Sequence, residues 1–337
     1  MKTKNKVRFC VIGCGNIGAV HINAIREMKN GELVAVCDGS EERAKKYASL
    51  YGIKAYTKIE EMLLDEEIDA VTICTPSGLH KEQALLALAA GKHVIVEKPM
   101  ALNTRDAKEI KDAAEKSKKS FSVVFQMRYS EDIQYAKRLI DNGELGKLLL
   151  CNLSMKYWRD KSYFEESRWR GTFKMDGGGA LMNQGIHGID IMHYLLGAPR
   201  IISAKVKTLI HNIEVEDTAV AIVEYPSGAL GIIEAATSIS PGFGRKIEIH
   251  GERGYLIISE KSIEKLYIDG KFIIDKEVEN SPGSASDPTK LKHEAHLCQF
   301  ENFANNIFGK EELLSSAKNG YDTVAAIEKI YEISKMA

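Results

Sequence analysis

Apolar runs and helical patterns alternate through the first 126 residues of the chain. The runs VRFCVIG, LVAVCD, AVTICT, HVIVEK and FSVVFQ predict strands that are buried on both faces of a parallel sheet. Between them, stretches such as EERAKKYASLYG, HKEQALLALAAG and TRDAKEIKDAAEKSK predict helices. Gly52 and Gly91 stand at expected helix C-termini, and Thr104 stands where an N-cap is expected. This alternation predicts a doubly wound α/β domain over residues 1–126.

The pattern changes after residue 126. Helices are predicted near 132–142, 183–196, 291–309 and 319–335, and a strand is predicted near 147–157. Between about 200 and 275 the chain has short apolar segments separated by turn sequences such as YPSG and DG, a pattern typical of hairpins. Residues 280–290 form a loop-like segment of low hydrophobicity. These features predict an α+β second domain, residues 127–337, with an open and mostly antiparallel sheet.

Composition adds limits on function. The chain has 337 residues, of which 44% are hydrophobic and 28% charged, as expected for two globular domains. The formal net charge is -1, so the protein is not expected to bind nucleic acid. No apolar stretch is long enough to cross a bilayer and the N-terminus lacks a signal-peptide pattern, so a cytoplasmic protein without a membrane partner is expected. The six cysteines have no CxxC pair and no histidines at zinc spacing, which predicts buried reduced thiols and no metal site.

A glycine fingerprint follows the first predicted strand. The segment Gly13-Cys14-Gly15-Asn16-Ile17-Gly18 is GxGxxG, and it opens a predicted helix. Its first glycine allows a tight turn, its second lets backbone N–H groups approach a pyrophosphate, and its third allows close helix–strand packing. Asp38 ends the second strand and is expected to accept hydrogen bonds from the adenosine ribose hydroxyls, which favours NAD over NADP. Arg43 lies one helical turn further on and keeps NADP possible.

Two later strand ends add candidates for cofactor binding. TPSGLH follows the strand AVTIC, and carboxyl ends of parallel strands are where nucleotides bind. Thr75 is expected to hydrogen-bond the cofactor and Pro76 to shape the turn. His80 either reaches the nicotinamide half or only begins the next helix, and the sequence leaves these alternatives open. Gln126, at the end of FSVVFQ, is a further cofactor candidate.

The strand HVIV ends in Glu97-Lys98-Pro99. In this topology the fifth strand ends beside the nicotinamide, so Lys98 is expected to enter the cleft between the domains, with Glu97 beside it at the cofactor. Pro99 lacks a backbone donor and stops the strand, which directs the lysine out of the sheet. A lone lysine at a strand end is ordinarily a surface charge, but this position indicates a functional one.

Five motifs together resemble the Gfo/Idh/MocA oxidoreductase family: GCGNIG, the acid at Asp38, TPSGLH, EKP and GGGALMNQGIHGIDIMHYLLG. The resemblance extends from residue 7 to the end of the chain. It implies a Rossmann domain followed by an α/β domain with an open antiparallel sheet. It also implies NAD(P)-dependent oxidation or reduction of a hydroxyl on a sugar, inositol or related polyol, and homodimers or homotetramers formed through the exposed sheet face.

The resemblance also implies site residues. It assigns catalysis to Lys98 and to His187 on the later helix, where Asn183 replaces an aspartate found in many members. On an α-helix, Asn183, His187, Asp190 and Tyr194 would share one face, and such a polar stripe suits a wet cleft or a buried hydrogen-bond network. Asp190 would orient the helix or the imidazole. The sequence motif MNQGIH is most similar to that of the branch that includes UDP-N-acetylglucosamine-uronate 3-dehydrogenases.

Arginine and aromatic residues cluster ahead of this helix. They suit an anionic, ring-containing substrate through bidentate contacts and stacking, but the same residue types also favour oligomer interfaces. The residues are Arg128, Tyr157, Trp158, Arg159, Arg168, Trp169 and Arg170, of which Arg128, Tyr157, Arg168 and Trp169 are predicted to bind substrate together with Lys98, Asn183 and His187.

The chemistry implied is reversible hydride transfer between nicotinamide and a hydroxyl-bearing carbon, with C3 of a UDP-sugar uronate as one candidate. Imidazole titrates near neutral pH, which favours His187 as the group that takes the hydroxyl proton, but Lys98 is an alternative base. An inositol or free-sugar dehydrogenase is a second reading of the same family. A non-catalytic dinucleotide sensor is a third, although a sensor would not need both Lys98 and His187.

Overall fold

The computed structural model describes residues 6–167, 169–276 and 293–335. The chain forms two compact units. The first comprises Met1–Gln126 and Pro288–Tyr321, and the second comprises Met127–Asp287 and Asp322–Ala337. The chain therefore leaves the first unit after Gln126 and returns to it near the C-terminus, whereas the sequence suggested an uninterrupted division at residue 126.

The first unit is built on a parallel sheet. Its elements before residue 126 are β1 (Val7–Ile12), α1 (Asn16–Glu27), β2 (Gly31–Cys37), α2 (Glu41–Tyr51), β3 (Lys54–Tyr56), α3 (Ile59–Leu63), β4 (Ala70–Ile73), α4 (His80–Ala89), β5 (His93–Val96), α5 (Thr104–Ser117) and β6 (Phe121–Val123). The six strands lie in the order β3-β2-β1-β4-β5-β6, and each neighbouring pair is parallel. The order reverses at β1, so the carboxyl ends of β1 and β4 flank the point where such sheets bind ligands. The predicted doubly wound sheet is confirmed.

Local sequence explains where these helices begin and end. Gly52 takes a left-handed conformation with φ 66° and ends α2. The predicted N-cap at Thr104 is wrong by one residue, because Thr104 is the first helical residue of α5. Asn103 is the cap, and its Oδ1 accepts a hydrogen bond from the Asp106 amide at 2.9 Å. Asparagine is a better cap than threonine, which accounts for the shift.

The second unit contains a mixed sheet and several helices. Its elements are α6 (Glu131–Asp141), β7 (Leu148–Lys156), α7 (Lys161–Glu165), a π-helical turn (Ala180–Gly185), α8 (Ile186–Leu196), β8 (Arg200–Lys207), β9 (Thr218–Glu224), β10 (Leu230–Ala236), β11 (Lys246–Gly251), β12 (Gly254–Ser259), β13 (Ser262–Ile268) and β14 (Lys271–Asp275). The eight described strands have the order β14-β13-β12-β11-β7-β10-β9-β8. Only β7 and β10 pair in parallel among them, so the sheet is mostly antiparallel, as predicted.

One face of this sheet is apolar yet open. Along β9 and β10 buried and exposed positions alternate, and the exposed ones include Val220, Ile222, Leu230 and Ile232. Contiguous exposed apolar residues are typical of a surface that binds another protein. The predicted homo-oligomer stays a prediction.

Two helices close the chain, α9 (Glu294–Ile307) and α10 (Ala317–Ser334). In the first unit, the ring of Phe300 on α9 lies 5.7 Å from that of Phe9 on β1 in an edge-to-face arrangement. Gln299 Nε2 donates to the carbonyl of Val123 at 2.7 Å. Helix α9 therefore covers the core of the first unit. None of the helices in the described parts of the chain has the length and apolarity required to cross a bilayer.

Candidate active site

The glycine loop between β1 and α1 fits a bound dinucleotide. Gly13 has φ +93°, and a Cβ there would lie 2.8 Å from the backbone of Cys74. A Cβ on Gly18 would lie 2.0 Å from the carbonyl oxygen of Gly13, so the helix can approach the loop only without a side chain. A Cβ on Gly15 would meet no atom within 4 Å. Because Gly15 is the N-cap and has no side chain, the N–H groups at the start of α1 are suited to a pyrophosphate.

Asp38 holds this loop in place. Its Oδ2 accepts from the Cys14 amide at 2.8 Å, and its Oδ1 accepts from the Ser40 amide at 2.7 Å. Arg43 donates to the same carboxylate through Nη2 at 2.7 Å and Nε at 3.1 Å. Burial alone would raise the pKa of Asp38, but the hydrogen bonds from Arg43, Ser40 and Cys14 outweigh it and lower that pKa. Asp38 is therefore an anion in a fixed position, as a ribose acceptor would need to be.

The TPSGLH segment forms the turn after β4. Thr75 Oγ1 donates to Gln83 at 2.7 Å, and Pro76 precedes a short 3₁₀ turn. His80 begins α4 and is buried, with its ring nitrogens 2.8 Å from the carbonyl oxygens of Thr75 and Pro99. Of the two alternatives for His80, this geometry favours the helix start, and it links the turn to the EKP segment. Contact of these residues with the cofactor stays a prediction, as does that of Gln126, which begins a 3₁₀ turn after β6.

Glu97 and Lys98 differ in their surroundings. The Glu97 carboxylate is buried and accepts from the Lys98 amide at 3.1 Å through Oε2. Its Oε1 lies 3.0 Å from Nε2 of His21 on α1. Lys98 itself is partly exposed. Glu97 thus supports the EKP segment from inside the first unit, and its predicted contact with the cofactor stays a prediction.

The triple glycine of the second unit allows its chain to pass close to a buried carboxylate. A Cβ on Gly179 would lie 2.0 Å from the carbonyl oxygen of Glu216, and one on Gly178 would lie 2.2 Å from the hydroxyl of Tyr331. Glu216 accepts from the amides of Gly179 at 2.9 Å and Leu181 at 2.7 Å, and from the Tyr331 hydroxyl at 2.9 Å. Glu216 therefore anchors the start of the π turn that leads into α8. A side chain at position 178 or 179 would collide with these groups, so glycine is required for this close approach.

Three neighbouring polar side chains emerge from this otherwise buried segment. Between residues 180 and 190, Asn183, Gln184 and His187 are partly exposed and the other residues are buried. Because residues 180–185 form a π turn, the predicted stripe of an α-helix does not hold across the join. Asn183 and His187 are both partly exposed, but Asp190 is buried.

Asp190 is paired inside the second unit with Arg128. The guanidinium donates to the carboxylate through Nε at 2.8 Å and Nη2 at 2.6 Å, and the two residues are 2% and 1% exposed. The ring of Tyr194 lies 5.0 Å from the Arg128 Cζ. Arg128 was predicted to bind substrate, and the structure instead places it in a buried bidentate pair that holds α8. Of the roles considered for Asp190, orienting the helix is the one this geometry supports.

The arginine and aromatic segment is also largely engaged internally. Arg159 is buried, and it donates to the Trp158 carbonyl at 3.0 Å and to Gln184 Oε1 at 2.6 Å. Arg170 is partly exposed and stacks on Tyr163, with Cζ 4.2 Å from the ring centre.

Two predicted substrate contacts in this region have different surroundings. Tyr157 is buried, and burial raises its pKa to about 12. Trp169 is partly exposed, and Arg170 lies 5.6 Å from its ring. Arg168, a predicted substrate contact, lies outside the described residues. Substrate binding by Tyr157, Arg168 and Trp169 stays a prediction.

Sequence reasoning missed four side chains that organise these sites: His21, Asp176, Gln184 and Glu216. His21 is the sixth residue of α1 and contacts Glu97, which is 76 positions away in sequence. Asp176 directly precedes the GGG motif and Gln184 directly follows Asn183, so their positions beside these motifs could have marked both residues as candidates. No local pattern distinguishes Glu216 from other strand-edge acids.

Each of the two units contains a segment that matches a known protein-family model. The family described as "Oxidoreductase family, NAD-binding Rossmann fold" (GFO_IDH_MocA) matches residues 7–125, and the GFO/IDH/MocA C-terminal domain matches residues 133–257. The expectation of an NAD-binding domain is thereby confirmed.

Three relatives illustrate the match. A WlbA dehydrogenase from Bordetella pertussis, crystallised with NADH and UDP-GlcNAcA, is 30% identical with a TM-score of 0.85, covering 98% of this chain and 97% of its own. Glucose-6-phosphate 3-dehydrogenase of Bacillus subtilis (strain 168) is 31% identical over 72% of this chain and 71% of its own. D-glucoside 3-dehydrogenase of Escherichia coli (strain K12) is 28% identical over 98% of this chain and 96% of its own.

Proposed function

The chain belongs to the Gfo/Idh/MocA oxidoreductase family, and on that premise we propose that it oxidises or reduces one ring hydroxyl of an anionic sugar derivative with NAD. UDP-GlcNAcA is the first candidate substrate. The observation that carries the proposal is the accessible group of Asn183, Gln184 and His187 in an otherwise buried segment. Two amides and an imidazole can each donate and accept hydrogen bonds, which suits the hydroxyls of a sugar.

Bound NAD supplies the nicotinamide carbon that takes or returns a hydride. The remaining task of the protein is to move one proton from the substrate hydroxyl as the carbon–oxygen double bond forms. We assign the transfer of that proton to His187 or to Lys98, the two side chains with the chemistry of a general acid or base. Glu97 supports this assignment, because its carboxylate fixes the Lys98 backbone amide at 3.1 Å.

The preference for an anionic substrate rests on chemistry shared by relatives and on one arginine. The names of two relatives include glucose-6-phosphate and UDP-GlcNAcA, both of which carry phosphate. In this chain Arg128 and Arg159 are buried and satisfy internal groups, so they do not argue for an anion. Arg170 is partly exposed and held by its stack on Tyr163, which suits a bidentate contact to phosphate or carboxylate.

The first experiment is a turnover screen with NAD and four purified sugars: UDP-GlcNAcA, glucose 6-phosphate, myo-inositol and an uncharged glucoside. Formation of reduced nicotinamide is followed by absorbance. We expect turnover with an anionic sugar at a higher kcat/KM than with either neutral compound. Turnover restricted to neutral sugars would reject the anionic preference. NAD binding without turnover of any sugar in this screen would favour the sensor alternative.

The second experiment tests the two assigned groups. Lys98→Met and His187→Ala are each expected to lower kcat by about 10²- to 10⁴-fold, the range typical of general acid–base groups. Lys81→Met and His193→Ala are matched controls, since Lys81 is a partly exposed lysine of α4 paired with Asp106 and His193 lies in the last turn of α8. Activity near wild type in both test variants would end the assignment.

A further inference from the structure

Two consecutive amides on the π turn lie between a buried carboxylate and a buried guanidinium. Asn183 Nδ2 donates to Asp176 Oδ1, and Gln184 Nε2 donates to Asn183 Oδ1 at 2.8 Å. At the other end, Arg159 Nη2 donates to Gln184 Oε1 at 2.6 Å. Asp176 is 2% exposed and Arg159 is 8% exposed. A continuous chain of hydrogen bonds therefore connects a negative to a positive side chain through the two amides.

The two charges decide which way each amide faces. An ionised carboxylate only accepts hydrogen bonds, so Asn183 must turn its NH₂ group toward Asp176. A guanidinium only donates, so Gln184 must turn its oxygen toward Arg159. The remaining contact, from Gln184 Nε2 to Asn183 Oδ1, is consistent with both orientations. Gln184 Nε2 also donates to the Tyr163 hydroxyl at 2.7 Å, so both of its hydrogens are used and its oxygen is the atom that can still accept from a sugar hydroxyl.

We propose that Asp176 and Arg159 are positioning residues that fix the Asn183 and Gln184 amides for hydrogen bonds to a sugar hydroxyl, and that Gln184 is a further substrate-contacting residue. The inference rests on the proposed function, because it takes the accessible group of Asn183, Gln184 and His187 as the face that meets the sugar. Asp176 also places a carboxylate next to Asn183, at whose position many family members carry an aspartate.

Asp176 accepts a second hydrogen bond, and this contact makes the proposed positioning role testable. Its Oδ2 accepts from the Gly171 amide at 2.9 Å while its Oδ1 accepts from Asn183. Because the two donors meet different oxygens of Asp176, an asparagine at position 176 would place its oxygen opposite one of them and its NH₂ group opposite the other, so one of the two contacts would be lost. An aspartate at position 183 would instead place two carboxylates at hydrogen-bond distance. When the two residues are exchanged, however, the amide now at position 176 accepts from Gly171 and donates to the carboxylate now at position 183, so both contacts are restored.

The experiment is a double-mutant cycle of Asp176→Asn, Asn183→Asp and the exchanged double variant. With UDP-GlcNAcA as substrate, each single variant should raise KM by about 10- to 100-fold, because a hydrogen bond to a charged group is lost or a repulsion is created. The double variant should return KM to within a few-fold of wild type, which is strong coupling between two adjacent sites. The change in kcat should be smaller than the change in KM in both single variants.

Controls separate positioning from folding. NADH affinity should be unchanged in all three variants, because the altered residues lie in the second unit. Asp160→Asn removes a negative charge from the same segment, and asparagine keeps the N-cap of α7, so KM should be unchanged. Arg159→Gln should raise KM like Asp176→Asn. Additive single effects in the double variant would overturn the proposal, as would single variants that unfold at lower temperature but keep the wild-type KM.

Failure of the proposed function would be recognised separately. If wild-type protein turns over none of the four sugars, the free energy of unfolding replaces KM as the quantity measured for each variant of the double-mutant cycle. Coupling between positions 176 and 183 would then uphold the positioning geometry while the substrate assignment fails. Zero coupling in unfolding would overturn the positioning inference whatever the substrate.

Discussion

Nε2 of His21 lies 3.0 Å from Oε1 of Glu97, and both side chains are buried in the first unit. Nδ1 of the same ring lies 2.7 Å from the Thr72 hydroxyl, so the imidazole is fixed at both ends. His296, on α9, packs beside it with ring centres 5.4 Å apart. Since Glu97 precedes Lys98, this pair connects the first helix of the fold to the lysine expected to act on substrate.

The pair predicts a specific dependence of stability on pH. Burial would raise the pKa of Glu97, but the hydrogen bond and charge of His21 lower it to about 2. A folded pKa below the unfolded value means that the stabilisation is complete above about pH 4.5 and is lost as pH falls toward about 2. Glu97→Gln should therefore lower the free energy of unfolding by up to about 3 kcal/mol at pH 7 and by about 1 kcal/mol less at pH 3.5.

Chemical denaturation at several pH values would measure this difference. Glu82→Gln, at an exposed position of α4, serves as the control and should not change stability by more than about 0.5 kcal/mol. A Glu97→Gln deficit that stays constant between pH 7 and pH 3.5 would contradict the lowered pKa of Glu97.

Two glycines of the fingerprint should respond differently to alanine. Gly18→Ala would place a methyl group 2.0 Å from the Gly13 carbonyl oxygen, so the variant should be less stable by about 1–3 kcal/mol. Gly15→Ala meets no atom within 4 Å and has φ −79°, so stability should be nearly unchanged. It should nonetheless weaken NADH binding, because the methyl group occupies space needed by the pyrophosphate. Thermal unfolding and NADH fluorescence titration would distinguish the two effects.

Asp38 and Arg43 should together set the choice of cofactor. Asp38→Ser removes the carboxylate expected to bind the ribose and leaves Arg43 able to meet a 2′-phosphate. The ratio of NAD to NADP affinity should fall by about 100-fold, corresponding to about 2.7 kcal/mol. Arg43→Ala in the Asp38→Ser background should reverse the gain in NADP affinity. If titrations with NADH and NADPH show the wild-type preference in Asp38→Ser, Asp38 does not bind the adenosine ribose.

The Arg128–Asp190 pair predicts a structural rather than a binding defect. Arg128→Met should cost about 3–5 kcal/mol of stability, because a buried carboxylate loses its partner. Combining it with Asp190→Leu should recover most of the loss, since an apolar pair can replace a buried ion pair. Arg138→Met, at an exposed position of α6, is the control. A stable Arg128→Met protein with a raised KM would restore the substrate role that the sequence suggested.

The sequence predicted the elements that depend on local pattern. Apolar runs of β-branched residues indicated the strands of a parallel sheet, because strands covered on both faces need apolar side chains throughout. The glycine loop was also predicted from local sequence. The positive φ at Gly13 and the close approach of the backbone at Gly18 exclude residues with a side chain. The placement of Asp38 and Lys98 at strand ends followed from their position along the chain.

Partnerships between distant residues were not predictable in this way. Periodicity assigned Asp190 to the same face as Asn183, but the π turn changes the number of residues per turn and Asp190 faces Arg128 instead. Arginine composition suggested a substrate anion, whereas burial shows that the Arg128 charge is neutralised internally.

What the sequence determined by itself is the class of the protein: a parallel Rossmann sheet with a dinucleotide loop, followed by a mostly antiparallel sheet. Proton transfer by Lys98 and His187 stays a prediction. What only the tertiary structure decided is which polar groups meet. Glu97 with His21, Glu216 with the triple glycine, and Asp176 with Asn183 are pairs of this kind. The physical reason is that a buried polar group must find a partner wherever the chain brings one, and that choice depends on packing rather than on neighbouring sequence.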